Sequence, residues 1–439
     1  MNVTKRAAHG ERCIRARDGS KLFKGIRNKT NRLLVVLAIT FGCVSLHAGD
    51  DRFGFATHFE QGWPTDPDMR DIAGAGVSYI RDDLNAGNWE PRRGVYVLPS
   101  SDLAWLTAAQ ANGLKVVGVL GPNSLYADNY DPTAMSNLAT WIAQTGLVTA
   151  FEIVNEPNNA YAAYEGAAWE SKLVTLTNAV TAAVHAVNPY IQVIGLGAQG
   201  TQIFNMLAMG TTMNGVVYHP YGNGTGFIPE TTYEWEWRVY APWIQALSEE
   251  TSLPKWETEW GIGTNSTFTN VDQAEFIARR LLEEAGLAVQ HSFIYEFQDN
   301  GTELYGVASA NPTMVKISYY VVQRIISTLS GVYGGSSAVA VNSVANGDFA
   351  DVEAFAYQGS GTKTVIAFWF GNHDPRTPPP SSQCQLIFTV PHAFSQAYVI
   401  NTLTGNQVPL SSYTWSQTGT QVTVTNMPIS DQPRMIVFQ

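Results

Sequence analysis

Cysteine is nearly missing from the body of this 439-residue chain. Cys13 and Cys43 fall within the first 48 residues, and Cys384 is left alone. A lone thiol excludes a disulfide framework within residues 49–439 and reads as a small buried hydrophobe. Histidine and cysteine nowhere cluster at the spacing of metal ligands, so no metal or other cofactor is expected. Basic residues are also scarce beyond the N-terminus. Ten of the 26 Lys/Arg and two of the 37 Asp/Glu lie in residues 1–32, leaving 16 against 35 and a charge near −19. Such a surface repels polyanions, which argues against nucleic acid and anionic lipid as partners and suits a neutral or cationic substrate.

Apolar runs of membrane-spanning length are lacking too. Leu33–Leu46 is uncharged, but it is nearer a signal-peptide core than the roughly 20 residues a bilayer needs. Residues 1–48 therefore read as a signal peptide cleaved near Ala48, which predicts a secreted or periplasmic protein. An uncleaved N-terminal membrane anchor is the alternative.

Aromatics are abundant, with 12 Trp, 19 Tyr and 19 Phe. Eight short apolar runs are predicted as strands: Phe53–Phe59, Val77–Asp83, Leu114–Leu120, Val148–Glu156, Ile191–Leu196, Gly215–Tyr221, Pro254–Trp260 and His291–Gln298. Segments with helical periodicity separate them, with Asp102, Asp131 and Asn270 as expected N-caps and Gly113, Gly146 and Gly286 as expected C-caps. Near-continuous apolar strands alternating with helices argue for a parallel sheet buried on both faces. Eight such repeats predict a closed (β/α)8 barrel over residues 49–330. Beyond Gly331 the pattern changes to short alternating runs separated by Gly, Ser, Pro and Asn. Residues 331–439 are expected to form a small all-β sandwich packed on the barrel.

In barrels of this kind the working residues sit at the carboxyl ends of the strands. Here the fourth strand ends in Asn155-Glu156, the sixth in His219-Pro220-Tyr221 and the seventh in Glu257-Thr258-Glu259-Trp260. The second carries Arg81-Asp82-Asp83, followed by Trp89, and the first carries His58. Two glutamates at the ends of different buried strands are what glycoside cleavage needs. Regular alternation along the seventh strand would point Glu257 and Glu259 both inward, so Glu257 competes with Glu259. Glu152 and Glu257 read as deeper carboxylates paired with Arg81, Tyr or His, and Glu296 is an outside candidate. An aldolase would need a lysine at the strand ends, whereas Lys115 and Lys255 lie at strand starts.

Asn155-Glu156-Pro157, His219-x-Tyr221 and Thr258-Glu259-Trp260-Gly261 occur in the order and spacing of the large clan of retaining (β/α)8 glycoside hydrolases, and the chain resembles that clan over about residues 53–330. Within it, Tyr79-Ile80-Arg81-Asp82-Asp83, Trp89-Glu90-Pro91, Arg93-Gly94-Val95-Tyr96 and Gly113-Leu114-Lys115-Val116 are most similar to family 39, including its exopolysaccharide endoglycosidases, with family 5 as the other possibility. The resemblance implies Glu156 as acid/base and Glu259 as nucleophile. It implies Asn155 on the sugar 2-hydroxyl, Arg81 and Tyr221 on Glu259, and His219 lining the site or tuning Glu156. His58 is expected at the rim. Flat aromatics are the usual platforms for sugar rings. Seven in or near βα loops are candidates: Trp63, Trp89, Tyr126, Trp235, Trp237, Trp260 and Tyr305, with Trp89 and Trp260 foremost. An oligo- or polysaccharide is the expected partner. The absence of long insertions after strands four, six and seven points to an open cleft and endo action. Exo action, transglycosylation, or a non-catalytic carbohydrate-binding barrel are the alternatives.

Overall fold

The computed structural model describes residues 49–121, 130–222, 227–232, 239–310, 314–335, 338–344 and 351–439. The presequence reading for residues 1–48, and Tyr126, Trp235 and Trp237, lie outside the described residues. Among those described, no helix is long and apolar enough to cross a membrane.

Eight parallel strands close into a barrel in sequence order. They are β1 (Asp50–Ala56), β2 (Val77–Asn85), β3 (Lys115–Gly121), β4 (Ala150–Ile153), β5 (Gln192–Gly195), β6 (Gly215–Tyr218), β7 (Lys255–Trp260) and β8 (His291–Ile294). Each coincides with an apolar run of the sequence. Tyr79, Val117, Ala150, Ile194, Val217, Trp256 and Phe293, one each from β2 to β8, form a buried cluster. At the matching place on β1, Gly54 leaves room for the Phe293 ring, which any Cβ would meet. Two residues further along four of these strands come Arg81, Glu152, His219 and Thr258, all buried. Side chains two apart share a face, so this polar set caps the apolar layer at the carboxyl ends.

Local signals account for some of the helix ends. Asp131 caps the helix Pro132–Thr145 by accepting from the Ala134 amide, and Gly146 ends it in the left-handed region at φ 69°. Other expected caps are corrected. Asp102 lies inside the helix Ser100–Ala111, buried beside the indoles of Trp89 and Trp105. Asn112 caps that helix and Gly113 follows it at φ 75°. Thr269, not Asn270, caps the helix Asn270–Gly286, through a reciprocal pair with Asp272. Gly286 is still helical; a side chain there would collide with Phe355.

The C-terminal region is a two-sheet sandwich. Its strands are β9 (Ala340–Val344), β10 (Val352–Gln358), β11 (Thr364–Phe370), β12 (Ser382–Thr389), β13 (Ala397–Asn401), β14 (Gln407–Pro409), β15 (Thr414–Thr418), β16 (Gln421–Ile429) and β17 (Arg434–Phe438). One sheet has the order β10-β11-β17-β13-β14 and the other β15-β16-β12-β9. Cys384 is a buried free thiol, as its isolation implied.

The five-stranded sheet is apolar on both faces. Ile366, Phe368, Ile436 and Phe438 pack into the sandwich core. Val365, Ala367, Trp369, Met435 and Val437 join the barrel's own core. The sheet covers the helix Asn270–Gly286, which is buried from Gln273 to Gly286 despite carrying Glu275, Arg279, Arg280, Glu283 and Glu284. Buried charge survives only when paired. Glu230 accepts from Arg279 at 2.8 and 2.5 Å, from the Trp369 indole at 2.8 Å and from the Asn372 amide at 3.0 Å. Barrel and sandwich thus share an apolar core and a charged anchor.

Candidate active site

The site is assembled from the ends of β2, β4, β6 and β7. The chain leaves β4 through Val154 at φ 63° and Glu156 at φ 39°. Both are in the left-handed region, which is costly for a residue with a branched Cβ such as Val154. Between them Asn155 accepts from Arg81 Nη2 at 2.8 Å, while Glu156 reaches His219.

Arg81 is the hub. Its Nε and Nη2 donate to the two oxygens of Glu152 at 2.7 and 2.8 Å, and its Nη1 donates to Glu259 Oε1 at 2.6 Å. A planar guanidinium offers five donors in a fixed fork, so one buried side chain can orient three groups. Burial alone would push the Glu152 carboxyl up, but Arg81, helped by His219, outweighs it and holds Glu152 at about 2. Glu152 is therefore the deep, permanently ionised partner expected from its place below Glu156.

Glu259 accepts from Arg81 on one oxygen and from the Tyr221 phenol at 3.1 Å on the other. Glu257 is corrected. The ladder between β7 and β8 shifts register between Glu257 and Trp260. This irregularity breaks simple alternation, so Glu259 turns inward while Glu257 points out of the barrel. There Glu257 accepts from Tyr218 Oη at 2.8 Å and lies against Glu284 of the covered helix, with burial pushing its carboxyl up.

His219 ties the two outer glutamates together. Its Nδ1 lies 3.2 Å from Glu156 Oε1 and 3.8 Å from Glu259 Oε2, and its Nε2 lies 3.0 Å from Thr258 Oγ1. Burial opposes protonation, but the charges of Glu259, Glu152 and Glu156 outweigh it and carry His219 to about 10. This favours the imidazolium, in which both ring nitrogens donate. Its hydrogen bond holds Glu156 below the usual carboxylate range, against burial. The second Glu156 oxygen accepts from Asn159 Nδ2 at 2.8 Å. One oxygen of Glu156, one of Glu259 and a ring nitrogen of His219 lie within 4.8 Å of one another. Three such groups could hold a cation, and Arg81 donates to one of them, Glu259.

The rim is aromatic on one side. His58 Nε2 lies 3.3 Å from Tyr295 Oη and 3.1 Å from the buried Glu296 carboxylate. Burial lowers the His58 value and Glu296 raises it, with a net rise. Trp63, Tyr295 and Tyr305 stand around it, each partly exposed. Asp82 fastens this loop by accepting from Thr57 Oγ1 at 2.8 Å and the Phe59 amide at 2.7 Å. On the other side a recess of about 260 Å³ is bounded by Glu60, Asp83, Asn85, Val119, Gly121 and Asn155. Glu296 has no exposed surface and pairs with His58, which sets it apart from the facing pair Glu156 and Glu259.

Two expected platforms are corrected. Trp89 is 0% exposed and packs on Trp141, and Trp260 is 1% exposed with its indole donating to Ser292 Oγ at 2.8 Å. Both sit behind the cleft wall and present no face to it. Glycine follows Trp260 because a Cβ at Gly261 would collide with the Tyr295 carbonyl. Thr258 and Asn159 were missed. Thr258 was within reach of an alternation argument from Trp256, whereas Asn159 depends on a loop conformation that no local pattern announces.

No model of a known protein family matches this sequence, and no curated protein matches it. Solved structures do. The chain is similar to a family 39 glycoside hydrolase from Bacteroides cellulosilyticus WH2, with TM-score 0.65 and 19% identity over 90% of this chain and 82% of that one. It is similar to a β-xylosidase from Caulobacter crescentus CB15, with TM-score 0.58 and 16% identity over 89% and 96% of the two chains. A family 30 endoxylanase from Clostridium papyrosolvens C71 gives TM-score 0.56 and 15% identity over 89% and 97%. At these identities the likeness establishes the fold, a (β/α)8 barrel followed by a β-sandwich.

Proposed function

We propose that the chain is an exported retaining β-glycoside hydrolase that cleaves within a polysaccharide. The observation that carries this reading is the facing pair Glu156 and Glu259, with carboxylate oxygens within 4.8 Å. Retaining glycosidases hold their two carboxyls about 5–5.5 Å apart, and inverting ones leave room for a water between them.

The two carboxylates have different surroundings, as the two roles require. Glu259, held by Arg81 and Tyr221, attacks the anomeric carbon. A bond forms from its oxygen to that carbon, and the bond from carbon to leaving oxygen breaks. The leaving oxygen takes a proton from Glu156. At rest that proton resides on His219. As Glu259 becomes a neutral ester, the largest single charge keeping His219 protonated disappears, and the proton is free to pass through Nδ1 to Glu156. Water gives a proton to Glu156 as its oxygen bonds to the anomeric carbon and the ester bond to Glu259 breaks; Glu156 passes that proton back to His219, which restores both carboxylates and the imidazolium. Asn155, fixed by Arg81, lies where a sugar 2-hydroxyl would be held.

The test is reducing-end release by residues 49–439 across polysaccharides. Xylans come first, because two of the similar structures are named for xylan-directed activities, followed by mannans, β-glucans and bacterial exopolysaccharides. Glu156→Gln and Glu259→Gln run beside the wild type. Turnover of one polymer that is lost in both variants supports the reading. Turnover that survives in Glu259→Gln overturns it. Product lengths separate endo from exo action and hydrolysis from transglycosylation.

A further inference from the structure

The loop that carries Glu156 runs directly into a second recess. Asn159, bonded to Glu156, precedes the short helix Ala160–Glu165, and this helix supplies Tyr161 and Tyr164. Tyr130, at the far end of the βα connection after β3, meets both: its ring centroid is 4.7 Å from Tyr161, edge to face, and 5.4 Å from Tyr164. Together they line a cavity of about 420 Å³ whose opposite wall carries Asp131, Glu165 and Lys172. Glu165 and Lys172 are ion-paired at 2.5 Å, so neither charge is spare.

Three features mark this recess as built for a ligand. Tyr164 is 55% exposed, a large aromatic face left open on a loop at the catalytic end. Tyr161, by contrast, is 1% exposed and gives the cavity a buried aromatic wall. Apolar ring faces beside a few polar groups are, finally, the surface that a saccharide with its C–H faces and hydroxyls fits.

We propose that Tyr130, Tyr161 and Tyr164 form a saccharide-binding subsite for the leaving-group side of a neutral β-linked chain. The direction follows from Glu156. The departing oxygen is the one Glu156 protonates, so the departing segment passes over the β4 loop on which Tyr161 and Tyr164 stand. Tyr161 is five residues from Glu156, which bounds the separation at about 18 Å even for extended chain. The recess is thus within a few sugar units of the scissile bond. This inference rests on the glycosidase reading and adds a preference for long chains.

The experiment uses xylo-, manno- and gluco-oligosaccharides of two to eight units, the matching nitrophenyl monosaccharides, and the variants Tyr164→Ala and Tyr161→Phe. The expected result for Tyr164→Ala is a loss of about tenfold in kcat/KM on the longest chains, in line with one buried aromatic face, with nitrophenyl glycoside turnover unchanged. Tyr161→Phe, which removes only a hydroxyl, is expected to raise KM for long chains and leave short ones alone. Equal losses on short and long substrates, or none, overturn the subsite while leaving the catalytic reading intact. Calorimetric binding of the same oligosaccharides to Glu259→Gln, with and without Tyr164→Ala, separates the two claims. Length-dependent binding that needs Tyr164, together with no turnover by the wild type on any of these substrates, keeps the subsite and sinks the glycosidase reading, and absence of both sinks both.

Discussion

The guanidinium of Arg280 donates to the carbonyl oxygen of Pro220 at 2.5 Å, one residue before the Tyr221 phenol that donates to Glu259. A second N–H of the same group donates to the Pro229 carbonyl at 2.9 Å, and its plane lies 3.6 Å over the Tyr240 ring. An outer helix residue therefore holds both ends of the segment after β6. Arg280→Lys keeps the charge, but one ammonium cannot reproduce a planar fork. Loss of a hydrogen bond to a charged group costs about 1.5–3 kcal/mol, so kcat is expected to fall by about 10–100-fold with little change in KM. A lowered melting temperature with unchanged kcat would reduce Arg280 to a structural role.

Tyr221→Phe removes one of the two hydrogen bonds that Arg81 and Tyr221 donate to Glu259. The same scale predicts a loss of about 10–100-fold in kcat. Pre-steady-state release of an activated leaving group would place that loss in the first or the second step.

His219 governs the pH response. Its folded value is raised from 6.5 to about 10. The stability it contributes is therefore fully present below 6.5 and is lost as pH rises through about 10. Activity requires one proton shared between His219 and Glu156, so the alkaline limb of kcat/KM is expected well above the carboxylate range. In His219→Gln that reservoir is gone, and the limb should move down toward an ordinary glutamate. A kcat/KM profile from pH 4 to about 10.5, within the range set by these shifts, reads it directly. An unmoved limb would leave His219 as a spacer.

The indole of Trp369 tests the shared anchor. Trp369→Phe keeps most of the packing but leaves Glu230 short of a donor, at a cost of about 1–3 kcal/mol. Thermal unfolding should show one cooperative transition at lower temperature. Two separated transitions would mean that barrel and sandwich unfold independently.

Trp260→Phe and Trp63→Ala should behave in opposite ways. The first loses a buried hydrogen bond and some core volume, lowering stability by about 1–3 kcal/mol with KM unchanged. The second removes a rim aromatic beside His58 and should raise KM while stability holds. Melting curves and saturation kinetics on both variants decide it.

The strands of the barrel could be read from the chain because each is a short apolar run between polar connections, and the positions of Glu156, Glu259, Arg81, His219 and Tyr221 follow from those strand ends. What could not be read is how each side chain turns. Alternation placed Glu257 and Glu259 on one face, and a single register shift before Trp260 separates them. Trp260 looks like a platform because it follows Glu259, but a residue beside an inward-facing group on a strand faces the helices instead, and Trp89, at the end of the short helix Ala86–Trp89, turns onto Trp141. Not every sandwich strand is a short alternating run: β17, with Met435–Phe438 buried on both faces, lacks the alternation that marks β16.

β17 follows every other described strand in the chain, yet it is the middle strand of the five-stranded sheet, paired with β11 on one side and β13 on the other. During synthesis this sheet cannot close until residue 438 has emerged. Without β17 the sheet over the charged helix Asn270–Gly286 would fall into two parts, β10-β11 and β13-β14.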